Sequence, residues 1–296
     1  MSGRQSHASS TLLHLFFIAF SLAFIVPFLL VLSISFSHEE TIRTLGYRLI
    51  PPEFTLDAYR YAFANPGRIQ DAYIVTTLQS ALGTFLSIVV MATCGYALSR
   101  RSFRYRGPIT FIVFFTMLFS GGLVPLYIVV TQYLRLGNSF WVYIFPRLVS
   151  AFPIIIFRTF FQSIPESLPE SAKIDGASEW TIFFRIIVPL SKPVVATLSL
   201  FGLIDRWNDW FTTLIYVRDT RLYTLQFLLQ RILREAQFLR AIATELPLGM
   251  DIGQHDLPTE SLRFAMLIIA AGPMLVVFPF FQKHFAKGLT IGAVKG

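Results

Sequence analysis

An all-α integral membrane protein is the fold class this sequence predicts, and three observations predict it. The mean hydropathy is +0.60. Only 14% of the 296 residues are charged, where about 25% is usual for a soluble domain. The apolar residues also gather into six runs, each near the about 20 residues that cross a bilayer as a helix. A chain with so little polar surface cannot cover a water-facing exterior.

The six runs lie at 12–34, 73–98, 109–130, 140–161, 193–217 and 262–285. The first follows a short polar segment with Arg4 and has the look of a signal peptide. Its apolar core is longer than such a segment uses, and no small-residue cleavage site follows. It reads as a retained span. Basic residues in short loops set the orientation. The stretch "SRRSFRYRG" (99–107) carries four arginines and is expected in the cytoplasm, whereas "QYLRLGNS" (132–139) carries one and is expected outside. Lys283, Lys287 and Lys295 place the C-terminus inside, and an even number of spans places the N-terminus there too. The long loops at 36–72 and 218–261 are then external. The charges of the second, Arg218 to Glu235, suit either a surface that receives a substrate-binding protein or a solvated amphipathic helix, "LQFLLQRILREAQFL" (225–239), on the outer membrane surface.

The net charge of +8 does not indicate nucleic acid as a partner, because the basic residues form no dense tract. They sit between apolar runs, as expected beside anionic lipid of the bilayer. The single Cys94 excludes an intrachain disulfide and any multi-cysteine metal site. No metal site is expected.

One polar stretch lies between spans four and five, on the cytoplasmic side: "ESAKIDGASEWTIFFRIIVP", residues 170–189. Pro165 and Pro169 suit first-turn helix positions. A short helix from Pro169 is interrupted at Asp175-Gly176, and a second helix leads to Pro189. A plain solvated loop would not need Trp180, Ile182, Phe183, Phe184, Ile186 and Ile187 so close together.

That stretch resembles the cytoplasmic signature of ABC importer permeases, which runs Glu-Ala-Ala, Gly at the seventh position and Ile-x-Leu-Pro at the end. Glu170, Ala172, Gly176, Ile186 and Pro189 match it, while Ser171 replaces the first Ala and Val188 the Leu. The stretches "FSGGLVPLYIVV" (119–130), "PIIIFRTFFQSIPESLPESAKIDGA" (153–177), "WNDWFTTLIYV" (207–217) and "KGLTIGAVKG" (287–296) resemble carbohydrate permeases of the maltose type. Within these they are most similar to the subgroup handling oligosaccharides derived from pectin or alginate. The resemblance implies a type I ABC importer permease with six transmembrane helices in a bacterial cytoplasmic membrane. It divides the chain into 1–72 (tail, first span and external loop), 73–290 (transmembrane domain) and 291–296 (cytoplasmic tail). It also assigns Glu170, Ser171, Ala172, Lys173, Asp175, Gly176 and Ala177 to a coupling helix that docks on an ATPase subunit, and Pro189 to its connection with the spans. The implied partners are a homodimer of ABC ATPase subunits, a second homologous permease completing a heterodimer, and an extracytoplasmic solute-binding protein. No phosphate-binding loop of the form G-x-x-x-x-G-K-[ST] occurs here. The chain is therefore expected to be no enzyme and to bind no cofactor, with ATP and Mg on the partner ATPase.

Polar groups inside a span are costly, which makes them functional candidates. Span five holds "DRWNDW". Asn208 and Asp209 suit sugar hydroxyls, and Trp207 and Trp210 offer flat faces to a pyranose. Asp205 and Arg206, adjacent in sequence, diverge on a helix and need separate partners. A blander account puts Trp210 in an outer interfacial belt and has the polar groups merely join helices. Span three breaks at Gly121-Gly122 and again near Pro125, with Tyr127 following; this is either a kinked, path-lining helix or a close-packing site. Arg147, Arg158 and His284 lie near span ends, where snorkelling to headgroups accounts for them.

Two other functions compete. An ion-coupled secondary transporter needs an intramembrane carboxylate relay, for which only Asp205 and Asp209 qualify, and it leaves the 170–189 stretch unexplained. An ABC permease for amino acids, peptides or polyamines shares the machine but not the cargo; the Trp-Asn-Asp-Trp cluster and the C-terminal resemblance favour sugars.

Overall fold

The computed structural model describes residues 3–64, 66–245 and 259–293, and the described elements are helical apart from one isolated bridge between Ser37 and Phe54. Two compact units emerge, one from Met1–Pro66 with Leu229–Pro273 and one from Gly67–Leu228 with Met274–Gly296.

In the first unit, α1 (Gly3–Ser35) holds an apolar segment, Thr11–Ser35, whose large side chains from Leu12 to Leu29 are exposed. Water does not suit such a surface, and a helix whose backbone is satisfied internally is what a bilayer accepts. At its end the chain changes solvent. Ser33 donates to the Arg48 carbonyl at 2.8 Å, Ser35 pairs with the Tyr59 hydroxyl at 2.9 Å, and Phe36 stacks between Phe54 and Tyr59. Two short helices, α2 (Glu39–Leu45) and α3 (Asp57–Ala62), bury Ile42, Ala58 and Ala62 there. Glu39 is buried and accepts hydrogen bonds from the N–H groups of Thr259, Glu260 and Ser261 and from the hydroxyls of Thr259 and Ser261. Those donors open the last long helix (Glu260–Ala293), so a carboxylate meets the positive end of its dipole.

The second unit is organised by α4 (Pro66–Ser99), which buries a polar, small-residue stripe of Thr76, Gln79, Ser80, Gly83, Thr84 and Ser87. A β-carbon at position 83 would stand 2.5 Å from Arg206 Nη1, so glycine is what lets the helix pass that guanidinium. Further along, Met91, Ala92, Tyr96 and Leu98 pack with Ile154, Phe157 and Phe161 of a helix spanning Ala151–Gln162, and with Ile182, Phe183, Ile187, Val194 and Leu198. Cys94 lies against this core as a free thiol.

Among the described residues, three helices are long and apolar enough to cross a membrane alone: Thr11–Ser35, Pro66–Ser99 and Glu260–Pro279. Three bent pairs raise the number to six if each counts as one crossing. Run three breaks at the glycine pair as expected, while the expectation of one unbroken helix each for runs four and five needs correction. Run three is α5 (Arg106–Leu118) and α6 (Leu123–Tyr133) at 114°. Gly122 has φ +85 and nothing within 4 Å of its β-carbon position, so the glycine is there to permit the turn and not to allow close packing. Pro125 makes no second break: it sits in the first turn of α6, where a missing N–H costs nothing. Run four is a tight-wound segment, Phe140–Arg147, bent by 50° from α7 (Ala151–Gln162). Run five, expected as one helix over 193–217, ends at Trp207 and resumes at Phe211.

Candidate functional site

The polar stretch folds as helix, turn and helix: α8 (Ser167–Ile174) and α9 (Glu179–Leu190), the latter passing through a wide turn at Phe183–Ile187. Pro169 is buried in the first turn of α8. At its other end Gly176 takes φ +82; its N–H donates to Lys173 O at 3.0 Å and that of Ala177 to Ala172 O at 2.9 Å. This pair of bonds closes a helix on a left-handed residue. Ser178 then opens α9, its hydroxyl accepting the Thr181 N–H at 3.2 Å. Lys173 pairs with Glu179 at 2.5 Å across the turn, and Glu179 also accepts the Tyr96 hydroxyl at 2.7 Å. With Ile182, Phe183 and Ile187 buried in the core, the turn is tied to α4. Its outer face stays open: Glu170, Ser171, Asp175 and Gly176 are exposed, and Ile174 is 87% exposed. Beside it lies a cavity of about 750 Å³ lined by Arg100, Arg101, Arg106, Glu166, Glu170 and Lys173, among others. Pro189 is exposed just before α10 (Lys192–Trp207), which departs from α9 at 82°.

A charged cluster sits at the far end of α10. Asp205 and Arg206 find separate partners, as their divergence on a helix demands. Arg206 is buried and donates to the carbonyls of Tyr143 and Arg147 and to the Ser87 hydroxyl, each at 2.8 Å. Gln79 donates to the Arg206 carbonyl at 2.5 Å. Asp205 accepts from Arg147 Nη2, while Arg147 Nη1 donates to Asp209 at 2.6 Å. Asp209 also accepts the Thr212 N–H at 3.1 Å, which starts α11 (Phe211–Tyr216) after the break at 208–210. Behind the break, Tyr143, Thr213 and Thr224 link hydroxyl to hydroxyl at 2.9 Å, and Thr224 donates to the Asp209 carbonyl at 2.8 Å. Backbone groups freed by the break are thus satisfied by side chains, as buried polar groups require.

Two cavities meet at this cluster. One of about 680 Å³ is lined by Arg147, Asp205, Asn208, Asp209, Trp210 and Tyr216 with apolar neighbours. The other, about 220 Å³, is lined by Ser87, Ser150, Arg147, Asp205 and Arg206 among others. Of the residues the sequence singles out, Asp205, Asn208, Asp209 and Trp210 come together on the larger cavity. Tyr127 stacks on Tyr216 with ring centroids 5.7 Å apart. Trp207 does not join them as an open sugar platform, because it is 5% exposed and packs inside the fold. Arg147, read from sequence as snorkelling, instead turns inward to two carboxylates. A basic residue near a span end carries two explanations, and only the position of Asp205 and Asp209 selects between them. Arg158 donates to the Leu98 carbonyl at 3.4 Å, whereas the side chains of Lys283, His284 and Lys287, and residues 294–296 with Lys295, lie outside the described residues. Among the described residues no three His, Cys, Asp or Glu side chains come together as a metal site.

Long apolar helices, bent helix pairs and a charge cluster facing cavities are the frame of a membrane transport protein. The chain belongs to the family described as binding-protein-dependent transport system inner membrane component, which it matches over residues 83–291. It is 40% identical to the polygalacturonan/rhamnogalacturonan transport system permease protein YtcP of Bacillus subtilis, over 96% of this chain and 97% of that one. It is 30% identical to the arabinooligosaccharides transport system permease protein AraQ of the same species, over 96% and 95% of the two chains. Among solved structures, the crystal structure of a bacterial ABC transporter involved in the import of the acidic polysaccharide alginate contains a similar chain. The TM-score is 0.75 at 25% identity, covering 96% of this chain and 99% of that one.

Proposed function

We propose that this chain is the transmembrane subunit of an ATP-driven importer that passes sugars or oligosaccharides, including acidic ones, into the cytoplasm by alternating access. The observation that carries this reading is the likeness at 40% identity, over nearly the whole of both chains, to a permease for polygalacturonan and rhamnogalacturonan. Membership of a binding-protein-dependent family speaks against an ion-coupled secondary transporter. The oligosaccharide relatives speak against an amino acid, peptide or polyamine cargo.

In this reading α5 with α6, the segment Phe140–Arg147 with α7, and α10 with α11 are each one crossing, giving six spans with both termini in the cytoplasm of a bacterial cell. The turn at Glu170, Ser171, Ala172, Lys173, Asp175, Gly176 and Ala177 is the coupling element, and an ATPase subunit covers its open outer face. The exposed Ile174 is the apolar contact, and the Lys173–Glu179 and Glu179–Tyr96 links carry movement to α4. Pro189 marks where α9 hands that movement to α10. The chain itself binds no cofactor; ATP and Mg act on a homodimer of ATPase subunits. A second homologous permease completes a heterodimer, and a solute-binding protein delivers cargo from outside. Cargo passes Asp205, Asn208, Asp209 and Trp210, beside the Gly121, Gly122 and Pro125 turn that frees α6 and Tyr127 to line the route.

Purification of the tagged subunit from native membranes in mild detergent, followed by mass spectrometry, tests this. An ATPase, a second permease and a sugar-binding protein are the expected companions. Recovery of the chain alone, active in proton-driven uptake, overturns the reading.

A further inference from the structure

We infer that Arg147 is an anion subsite for the carboxylate of a uronate residue, and that Asp205 is the exchangeable counter-ion occupying it when cargo is absent. The inference rests on the oligosaccharide reading above and narrows it to the group that reads the charge.

The two carboxylates on Arg147 are not alike. The Asp209 side chain is only 6% exposed and is fixed by the Thr212 N–H as well. The Asp205 side chain is 71% exposed, lines both cavities, and has Arg147 as its one side-chain partner among the described residues. Arg147 is itself 29% exposed, so its outer Nη2 edge faces the open space while Nη1 is committed to Asp209. Arg206 stands behind, buried, donating to carbonyls and one hydroxyl and to no carboxylate. Two cations and two anions make the cluster neutral. When Asp205 swings into the cavity, one positive charge is uncovered there. A planar carboxylate from a sugar acid can take the vacated donor and restore neutrality, because a guanidinium edge presents parallel N–H groups. The exchange swaps one carboxylate for another and leaves no charge buried alone, which keeps the step reversible. A neutral sugar offers no such replacement and must pass with Asp205 in place.

The test uses the whole importer in proteoliposomes, with its ATPase, partner permease and binding protein. The probes are the galacturonic acid trimer and its fully methyl-esterified form, which is of similar shape and uncharged. With one binding protein throughout, its own preference cancels between variants. Asp205→Asn is the main variant, since Asp205 is exposed and Arg147 keeps Asp209 as a partner without it. It leaves Arg147 uncovered, so KM for the acid is expected to fall about fivefold to tenfold relative to the ester, an order-of-magnitude figure for one charge pair at a partly exposed site. The kcat for the acid is expected to fall with it, because release no longer has an internal competitor. Arg147→Gln together with Asp209→Asn removes the cation without leaving Asp209 unpaired, and is expected to bring the acid-to-ester KM ratio close to one. An unchanged ratio in both variants overturns the subsite. Wild-type uptake of the ester alone also overturns it while sparing the oligosaccharide reading. Uptake of neither trimer nor of any neutral oligosaccharide by the wild type overturns that reading, and the subsite with it.

Discussion

Gly176 in the turn between α8 and α9 is the position where one atom should change behaviour most legibly. Its φ is +82, and a β-carbon built there meets nothing within 4 Å. Gly176→Ala therefore creates no clash, and its whole cost is conformational. An L residue with a side chain pays about 1–2 kcal/mol in the left-handed region. Alanine also restricts the unfolded chain, which returns about 0.4–1 kcal/mol. The net is about 1 kcal/mol, enough to raise the local opening of the turn about fivefold. The amides that report it are those of Gly176 and Ala177, bonded at 3.0 and 2.9 Å to Lys173 O and Ala172 O. Hydrogen exchange on the peptide covering 172–178, in the nucleotide-free importer, should show that acceleration in Gly176→Ala. Gly176→Asn should recover about half, since asparagine tolerates this region better than alanine. ATP-driven uptake should follow the same order. Equal protection in wild type and Gly176→Ala, or an asparagine variant worse than the alanine one, refutes the reasoning.

Three further outcomes are expected. Gly83→Ala forces a β-carbon to 2.5 Å from an Arg206 guanidinium held by three acceptors; overpacking of this kind costs about 1–3 kcal/mol, and the purified complex should show a lower Tm. Burial alone would raise the Glu39 carboxyl, but hydrogen bonds from Thr259, Ser261 and Glu260 outweigh it and hold it below the ordinary glutamate range. Its stabilising contribution is present above the unfolded-state value and is lost as acid passes through the depressed folded one. Glu39→Gln should therefore cost about 1–3 kcal/mol at neutral pH and flatten the loss of thermal stability expected of the wild type below about pH 4. Trp210→Ala, which takes an aromatic wall from the larger cavity, should lower oligosaccharide uptake severalfold while the ATPase still co-purifies; loss of the ATPase instead would show that the change acts through folding.

Much of this was legible in the sequence because it depends on local chemistry. Apolar length marks candidate crossings wherever the run is unbroken, so α1, α4 and the helix from Glu260 follow directly from it. The pattern Pro, Asp-Gly, Ser, Pro between runs four and five marks two helices joined by a turn, and the turn depends on backbone freedom at one glycine. The bends were less legible. Gly121-Gly122 announces a break, but neither residue specifies 114°, and nothing in Asn208-Asp209-Trp210 announces that a helix stops there. That stop is held by Thr213 and Thr224, the latter reaching the Asp209 carbonyl, and by the Asp209 carboxylate on the Thr212 N–H.

The charge cluster divides the two sources of information most sharply. Residue order alone places the chain in a bilayer, requires partners for polar residues inside spans, and requires different ones for Asp205 and Arg206. These follow from composition and from 3.6-residue geometry, which need no distant contact. Who those partners are comes from long-range packing: Arg147, 58 residues before Asp205, and Ser87, 119 before Arg206. It also turned Trp207 inward and Trp210 toward a cavity, although the two sit three positions apart. In low dielectric a charge is stable only beside its complement, and which helix supplies that complement is set by packing across the fold rather than by neighbours along the chain.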